Sequence, residues 1–118
     1  MATEKYPHLT VDEYQQWTRE TAIYPVMENV KYPLMGLAGE IGEVLNKAKK
    51  VVRGGPNDPK SYAEIKDDLA DELGDAFYYF ARVADDLGMD LSYIMARNKA
   101  KLVSRKLADT LSGSGDKR

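Results

Sequence analysis

Two pairs of acidic residues stand at helical spacing in this chain. Glu40 and Glu43 form one pair, and Glu72 and Asp75 form the other. In each pair, the second acid lies three positions after the first. Residues three apart share one side of an α-helix, so each pair presents two carboxylates one turn apart. If the two helices pack together, four carboxylates converge, and that arrangement is too costly without a counter-cation. The spacing therefore predicts a divalent-metal site.

The four acids offer only oxygen ligands, which select hard cations such as Mg²⁺, Mn²⁺ or Ca²⁺. A di-iron helical bundle would require Glu-x-x-His pairs, and the chain has none. Mg²⁺ commonly keeps bound waters and shares its coordination shell with substrate phosphates. The acid pairs therefore point to a phosphate-bearing substrate.

Acid pairs of this kind are also common on solvated helix faces, so the direction of each side chain matters. At about 100° per residue, Glu40 and Glu72 fall at the edge of the apolar stripe of their helices, whereas Asp71 points outward. We therefore expect Glu40 and Glu72 to be partly buried. Helix-interior glycines surround the acids and indicate either a close approach of a helix or ligand or simple ease of packing; they are Gly36, Gly39, Gly42 and Gly74.

The elements that must carry these residues are four helices. Thr10-x-x-Glu13 and Ser61-x-x-Glu64 have the form of capping boxes, and residues 53–59 form a Gly- and Pro-rich breaker. The predicted helices run from Thr10 to about Tyr24, from Pro33 to about Val52, from Ser61 to near Gly88, and from Asp90 to about Leu107 or Leu111. We expect residues 1–111 to form a single domain and residues 112–118 to form a flexible tail.

The fold class predicted from these elements is all-α, a four-helix antiparallel bundle. The second helix repeats apolar residues at helical period, and so does the third; examples are Leu37, Ile41 and Leu45, then Leu69, Leu73 and Phe80. A small bundle of this kind often gains stability by forming oligomers.

Basic and amide side chains occupy inward or flanking positions. Asn98 lies within the apolar stripe of the fourth helix, and Lys101 and Arg105 follow on the same side. Lys47 shares the flank of Glu40 on the second helix. Polar groups so placed need partners, which are either the acids, in a structural salt-bridge network, or phosphate oxygens of a ligand.

Two aromatic residues are candidates for ligand contacts. Trp17 is the single tryptophan; a place in the core is its default role, and stacking on a nucleobase is the alternative. Tyr79 stays on the carboxylate flank of the third helix, one turn beyond Asp75, so its hydroxyl can hold a ligand acid or a phosphate.

Bulk composition limits the remaining choices. The 118-residue chain has a net charge of −2 and no cysteine, which argues against binding duplex nucleic acid and excludes disulfides and thiolate metal sites. It lacks a transmembrane run and a signal-peptide core. We therefore expect a cytoplasmic protein with no membrane partner.

Taken in order, the motifs resemble the MazG-like family of all-α nucleoside triphosphate pyrophosphohydrolases. The segments 36–43 (GLAGEIGE) and 71–75 (DELGD) are similar to the family hallmark, Glu-x-x-Glu followed after a spacer by Glu-x-x-Asp. Segment 98–105 (NKAKLVSR) is similar to the later Asn-x-x-Lys-Leu-x-x-Arg element of the family. The resemblance covers about residues 10–107 and rests on the ordered set rather than on any single motif.

This resemblance implies a specific chemistry. It implies Mg²⁺, with Mn²⁺ as a substitute, held by Glu40, Glu43, Glu72 and Asp75, and cleavage of (deoxy)nucleoside triphosphates into nucleoside monophosphate and pyrophosphate. It also implies a homodimer or a homotetramer made of two dimers, with sites at the subunit contact. Substrate contacts would come from Asn98, Lys101 and Arg105.

Two other functions stay open on the sequence alone. A non-catalytic bundle would bind Mg²⁺ and nucleotide yet release no pyrophosphate. A purely structural interaction module, for example an antitoxin-like protein, would show no metal-dependent rise in melting temperature. The base and sugar preference of an enzyme is not readable from these residues.

Overall fold

The computed structural model describes residues 5–26, 29–54 and 61–112. These residues form four α-helices and no strand: α1 (Val11–Thr18), α2 (Lys31–Gly54), α3 (Lys66–Asp86) and α4 (Leu91–Ser112). The all-α prediction is confirmed. Within the described ranges, no helix is both long enough and apolar enough to cross a bilayer. The breaker residues 55–60 and most of the predicted tail, residues 113–118, lie outside the described part of the chain.

Helix α1 begins as predicted and ends early. Thr10 and Glu13 form both hydrogen bonds of the capping box, at 3.1 Å and 2.9 Å. The helix ends at Thr18 rather than near Tyr24, so the predicted second half is wrong. The hydroxyl of Thr18 donates to the carbonyl of Gln15, and that of Thr21 donates to the carbonyl of Thr18. Such local bonds compete with the helical ladder, and the chain continues in tight turns.

Helix α2 begins near its predicted position, whereas α3 begins five residues after its predicted start at Ser61. Asn29 accepts a hydrogen bond from the backbone N–H of Lys31 at 3.1 Å, so α2 starts two residues before Pro33. Ser61 and Glu64 form the reciprocal bonds of the second capping box, at 3.1 Å and 3.2 Å. The residues after Ser61 form turns, and regular α-helix begins only at Lys66.

The junction between α3 and α4 is closed by a glycine cap. Gly88 has a φ of 71°, a left-handed conformation that glycine adopts without a steric penalty. Its N–H bonds to the carbonyl of Asp85, and the N–H of Met89 bonds to that of Ala84, which together form a Schellman motif. At the start of α4, the side chain of Gln15 accepts from the N–H of Leu91 at 2.6 Å. Gln15, rather than the predicted Asp90 side chain, therefore caps that group.

Helix α3 is the centre of the arrangement. It packs against α1, α2 and α4, and α1 also touches α4, but α2 makes no close backbone approach to α4. The buried hydrophobic residues in the described part of the chain are Ile65, Ala76, Ala81, Ala84 and Leu91, and the last three form a cluster that is covered by Val11, Tyr14 and Ile94. The radius of gyration of 18.1 Å exceeds the roughly 13.5 Å of a compact domain of this length. The single chain therefore does not close into the four-helix bundle that we predicted.

Candidate metal centre

Helices α2 and α3 form an antiparallel pair that carries the acids. Glu40 on α2 faces Glu72 and Asp75 on α3, and Gly36 lies against Tyr79. Further along α2, Lys47 approaches Glu72. Residue numbers thus rise along α2 as they fall along α3, and the periodicity of each helix brings the two acidic faces together.

Three carboxylates converge at this contact. Glu40, Glu72 and Asp75 each offer an oxygen, and these atoms all lie within 4.8 Å of one another. Glu40 and Glu72 are half-buried, as predicted, whereas Asp75 is exposed. Because Mg²⁺ and Ca²⁺ bind oxygen at about 2.0–2.6 Å, two ligands of one ion stand up to about 4–5 Å apart. We call these three residues the acidic triad, and their oxygen atoms fit a single hard cation.

The electrostatics of the triad favour a bound cation. Burial raises the pKa of the Glu40 carboxyl above its ordinary value, and the negative charges of Asp75, Glu72 and Glu43 raise it further. Lys47 supplies part of the compensating charge, with its Nζ 4.0 Å from Oε1 of Glu72. A cation at the triad would relieve the remaining repulsion, because it would interact with all three carboxylates at once.

A cleft of about 620 Å³ opens beside the triad. Its lining combines two triad acids with the aromatic side chains of α1 and α3; the lining residues are Tyr14, Trp17, Thr21, Glu40, Ala70, Asp71, Gly74, Asp75, Tyr78 and Tyr79. A space of this size fits a small ligand. One wall of the cleft suits a cation and its anionic ligand, and the other suits an aromatic ring.

The aromatic wall is organised around α1. Tyr14 stacks on Phe77 with ring centroids 5.4 Å apart and lies 5.8 Å from the ring of Trp17. Trp17 remains 47% exposed, so the default expectation of a core tryptophan is not met. Its exposed face borders the cleft and can stack on a ligand ring.

Two tyrosines of α3, Tyr78 and Tyr79, line the same cleft. Tyr78 hydrogen-bonds to the hydroxyl of Thr21 at 2.8 Å. Burial raises the pKa of Tyr79, and the neighbouring Tyr32 and Tyr78 hydroxyls and the carboxylates of Glu40 and Asp75 add to the effect. Tyr79 therefore stays protonated near neutral pH and can act as a hydrogen-bond donor.

The other predicted site residues lie at different distances from the triad. Glu43 is exposed and close enough to raise the pKa of Glu40, but its oxygens are outside the three-carboxylate cluster. Asn98 and Lys101 border a separate cavity of about 410 Å³, with Met89, Ile94 and Arg97. Arg105 is half-buried further along α4. Because α4 does not approach α2, one chain does not bring these α4 residues to the triad, and their role as substrate contacts stays a prediction.

Sequence reasoning missed a buried ionic network near the C-terminal end of α3. Arg82 is fully buried and donates hydrogen bonds to Tyr24 at 3.0 Å, Asp85 at 3.0 Å and Asp86 at 2.8 Å. Arg19 approaches the same Asp85 at 2.7 Å. This network ties the segment after α1 to α3. The available signal was the spacing from Arg82 to Asp85 and Asp86, which matches helical ion pairs at i, i+3 and i, i+4.

Fold and site together define an all-α protein with a three-carboxylate cluster able to hold a metal ion. The chain is 44% identical over 114 residues to the Gene 37 protein of Mycobacterium phage L5, an alignment that spans 92% of this chain and 98% of the phage protein. It belongs to the family of that phage protein. No family model matches the chain, and no solved structure matches it.

Proposed function

We propose that this protein hydrolyses (deoxy)nucleoside triphosphates between the α- and β-phosphates, with Mg²⁺ or Mn²⁺ as cofactor. The observation that carries the proposal is the acidic triad, whose oxygens lie within 4.8 Å of one another at the edge of an aromatic-lined cleft. The ordered motifs that resemble the MazG-like family support the same activity. The products are a nucleoside monophosphate and pyrophosphate.

We assign each side chain a role in metal binding, proton transfer or substrate binding from its position relative to the triad. Glu40, Glu72 and Asp75 would hold the ion, which supplies charge neutralisation and a bound water of lowered pKa. Glu43 lies beside the triad without belonging to it, and in this proposal it would accept a proton from the attacking water. Lys47 would stabilise the phosphate charge, Trp17 would stack on the base, and Tyr79 would donate a hydrogen bond to a phosphate or a ligand carboxylate.

A nucleotide panel tests the activity directly. The purified chain, given Mg²⁺ and each of the eight canonical ribo- and deoxyribonucleoside triphosphates, should release pyrophosphate and monophosphate in equal amounts. Chromatography of the nucleotide products, with a coupled pyrophosphate assay, measures both. Nucleoside diphosphate with orthophosphate would contradict the proposed bond cleavage. Metal and nucleotide binding without any product would instead identify a non-catalytic binding protein.

We also propose that the chain assembles as a homodimer or as a dimer of dimers. Large apolar side chains remain exposed on the long helices, among them Leu45 at 64%, Val52 at 77%, Leu73 at 54% and Leu107 at 60%. Exposed apolar surface on this scale marks an interaction surface. A second copy would cover it, and the α4 of that copy would be a source of the cationic side chains that one chain leaves far from its triad.

Mixed oligomers test whether two copies share one site. Sedimentation should give twice or four times the monomer mass. Glu72→Gln and the double variant Lys101→Ala/Arg105→Ala should each be inactive alone, yet equal amounts mixed under exchange conditions should regain about a quarter of wild-type turnover, because half of the dimers pair unlike chains and hold one intact site. A monomeric mass, or dimers without complementation, would contradict the shared site.

A further inference from the structure

Gly36 on α2 occupies a position with no room for a side chain. A Cβ built there would lie 2.5 Å from Cε1 of Tyr79, 2.6 Å from Cζ and 2.7 Å from Cδ1. These are distances that real Cβ atoms do not adopt, so either the ring or a helix would have to move. The Tyr79 ring therefore lies directly on the α2 backbone, in a space that exists because residue 36 is glycine.

The other glycines near the acids do not share this property. Gly39, Gly42 and Gly74 have nothing within 4 Å of an added Cβ. A glycine inside a helix destabilises it relative to alanine, and the contact with Tyr79 explains why residue 36 is nevertheless glycine. Of the two explanations that the sequence left open for these glycines, close approach therefore applies to Gly36 within one chain.

The contact between Gly36 and Tyr79 lies one helical turn from the acidic triad on both helices. Gly36 precedes Glu40 by four residues on α2, and Tyr79 follows Asp75 by four residues on α3. One turn of α-helix is about 5.4 Å, so a change in helix separation at this contact is transmitted to the triad with little attenuation. The ring is also supported from the side by Tyr78, in an edge contact with centroids 5.3 Å apart.

We propose that Gly36 and Tyr79 form a positioning pair. The Tyr79 ring packs directly on the backbone of α2, and this contact sets the distance between α2 and α3. At that distance the triad oxygens can all bind one ion. The inference rests on the proposed metal-dependent function and adds to it a residue outside the motif acids. Gly36 would contact neither the ion nor the substrate. It acts by leaving space for the Tyr79 ring.

The test compares Mn²⁺ binding by four variants of the full chain. Gly36→Ala should weaken Mn²⁺ affinity by about 10-fold or more, the range seen when groups that orient metal ligands are removed. The matched control is Gly39→Ala, on the same helix and in open space, which should keep wild-type affinity and unfold at a slightly higher temperature. In a Tyr79→Ala background the clash is gone, so adding Gly36→Ala should cost no further affinity. Titration calorimetry, with paramagnetic resonance of free Mn²⁺, measures each constant, and circular dichroism confirms the helical fold.

Each outcome decides between the two proposals. The positioning pair is overturned if Gly36→Ala binds Mn²⁺ as tightly as wild type does. It is also overturned if Gly36→Ala weakens Mn²⁺ binding equally in the wild-type and Tyr79→Ala backgrounds. Either result leaves the metal site intact. A wild-type chain that binds no Mn²⁺ overturns the metal site, and the pair with it. If Gly36→Ala does not fold, Tyr79→Ala alone still decides: loss of the ring should weaken Mn²⁺ affinity relative to wild type, and wild-type affinity in Tyr79→Ala overturns the positioning pair.

Discussion

Glu72→Gln should lower metal-dependent turnover by at least about 100-fold while the helical fold survives. Replacing a group that merely orients a metal ligand costs 10- to 100-fold, and Glu72 is itself one of the three converging carboxylates. Glutamine keeps the shape of the side chain and removes the charge that the cation would meet. Pyrophosphate release under saturating Mg²⁺ measures the loss, and the Mg²⁺-dependent rise in melting temperature should disappear with it.

The matched control for this variant is Asp67→Asn on the same helix. Asp67 is an exposed acid of the first turn of α3, so its replacement removes one negative charge without touching the triad. Turnover and the metal-induced rise in melting temperature should both stay near wild type. If Glu72→Gln behaves like this control, the triad does not hold the catalytic ion.

Glu40→Gln should change the melting temperature in opposite directions without and with Mg²⁺, and a carboxylate with a purely structural role would not give that reversal. Burial and neighbouring carboxylates raise the pKa of Glu40, so in the metal-free protein its ionised form is disfavoured by folding, and stability is lost as the pH rises through that pKa. The amide should therefore raise the melting temperature of the metal-free protein at neutral pH. With Mg²⁺ the order should reverse, because the wild type binds the ion and the variant does not.

Much of this architecture was predictable because it depends on local chemistry. Hydroxyl and carboxylate side chains three residues apart form capping boxes at Thr10 and Ser61, and a glycine ends α3 at Gly88. The convergence of Glu40 with the acids of α3 also followed from helical periodicity. These features need only the spacing of residues along one helix and the pairing of two helices that are consecutive in sequence.

The features that sequence reasoning missed depend on packing between distant segments. Helix α1 ends at Thr18 because hydroxyl groups and the contacts of the following turn outweigh the helical pattern. Gln15 caps α4 across 76 positions of sequence, and no local rule would select it over Asp90. The open arrangement was missed because an apolar stripe predicts a covered face without saying whether the same chain or another copy covers it.

Asp85→Asn should destabilise the fold by about 3–5 kcal/mol, the cost of removing one partner from a buried ion pair. Asp85 is 8% exposed and receives hydrogen bonds from Arg19 and from the fully buried Arg82. The amide would leave the buried Arg82 guanidinium with less compensating charge. Urea unfolding followed by circular dichroism measures the loss, and the exposed Asp109→Asn on α4 should stay within about 0.5 kcal/mol of wild type.

The pH dependence of the stability difference between wild type and Asp85→Asn shows whether the variant acts by removing a charge or by altering packing. Burial acts to raise the pKa of Asp85, but the hydrogen bonds and charges of Arg19 and Arg82 outweigh it, so the net pKa lies below its ordinary value. A carboxylate with a lowered pKa stabilises the fold above its unfolded value of about 3.9 and loses that contribution as the pH falls through the folded value. The gap between wild type and Asp85→Asn should therefore narrow below about pH 4. A gap that stayed constant to pH 2 would show that the variant acts through packing, and the ionic account of this network would be wrong.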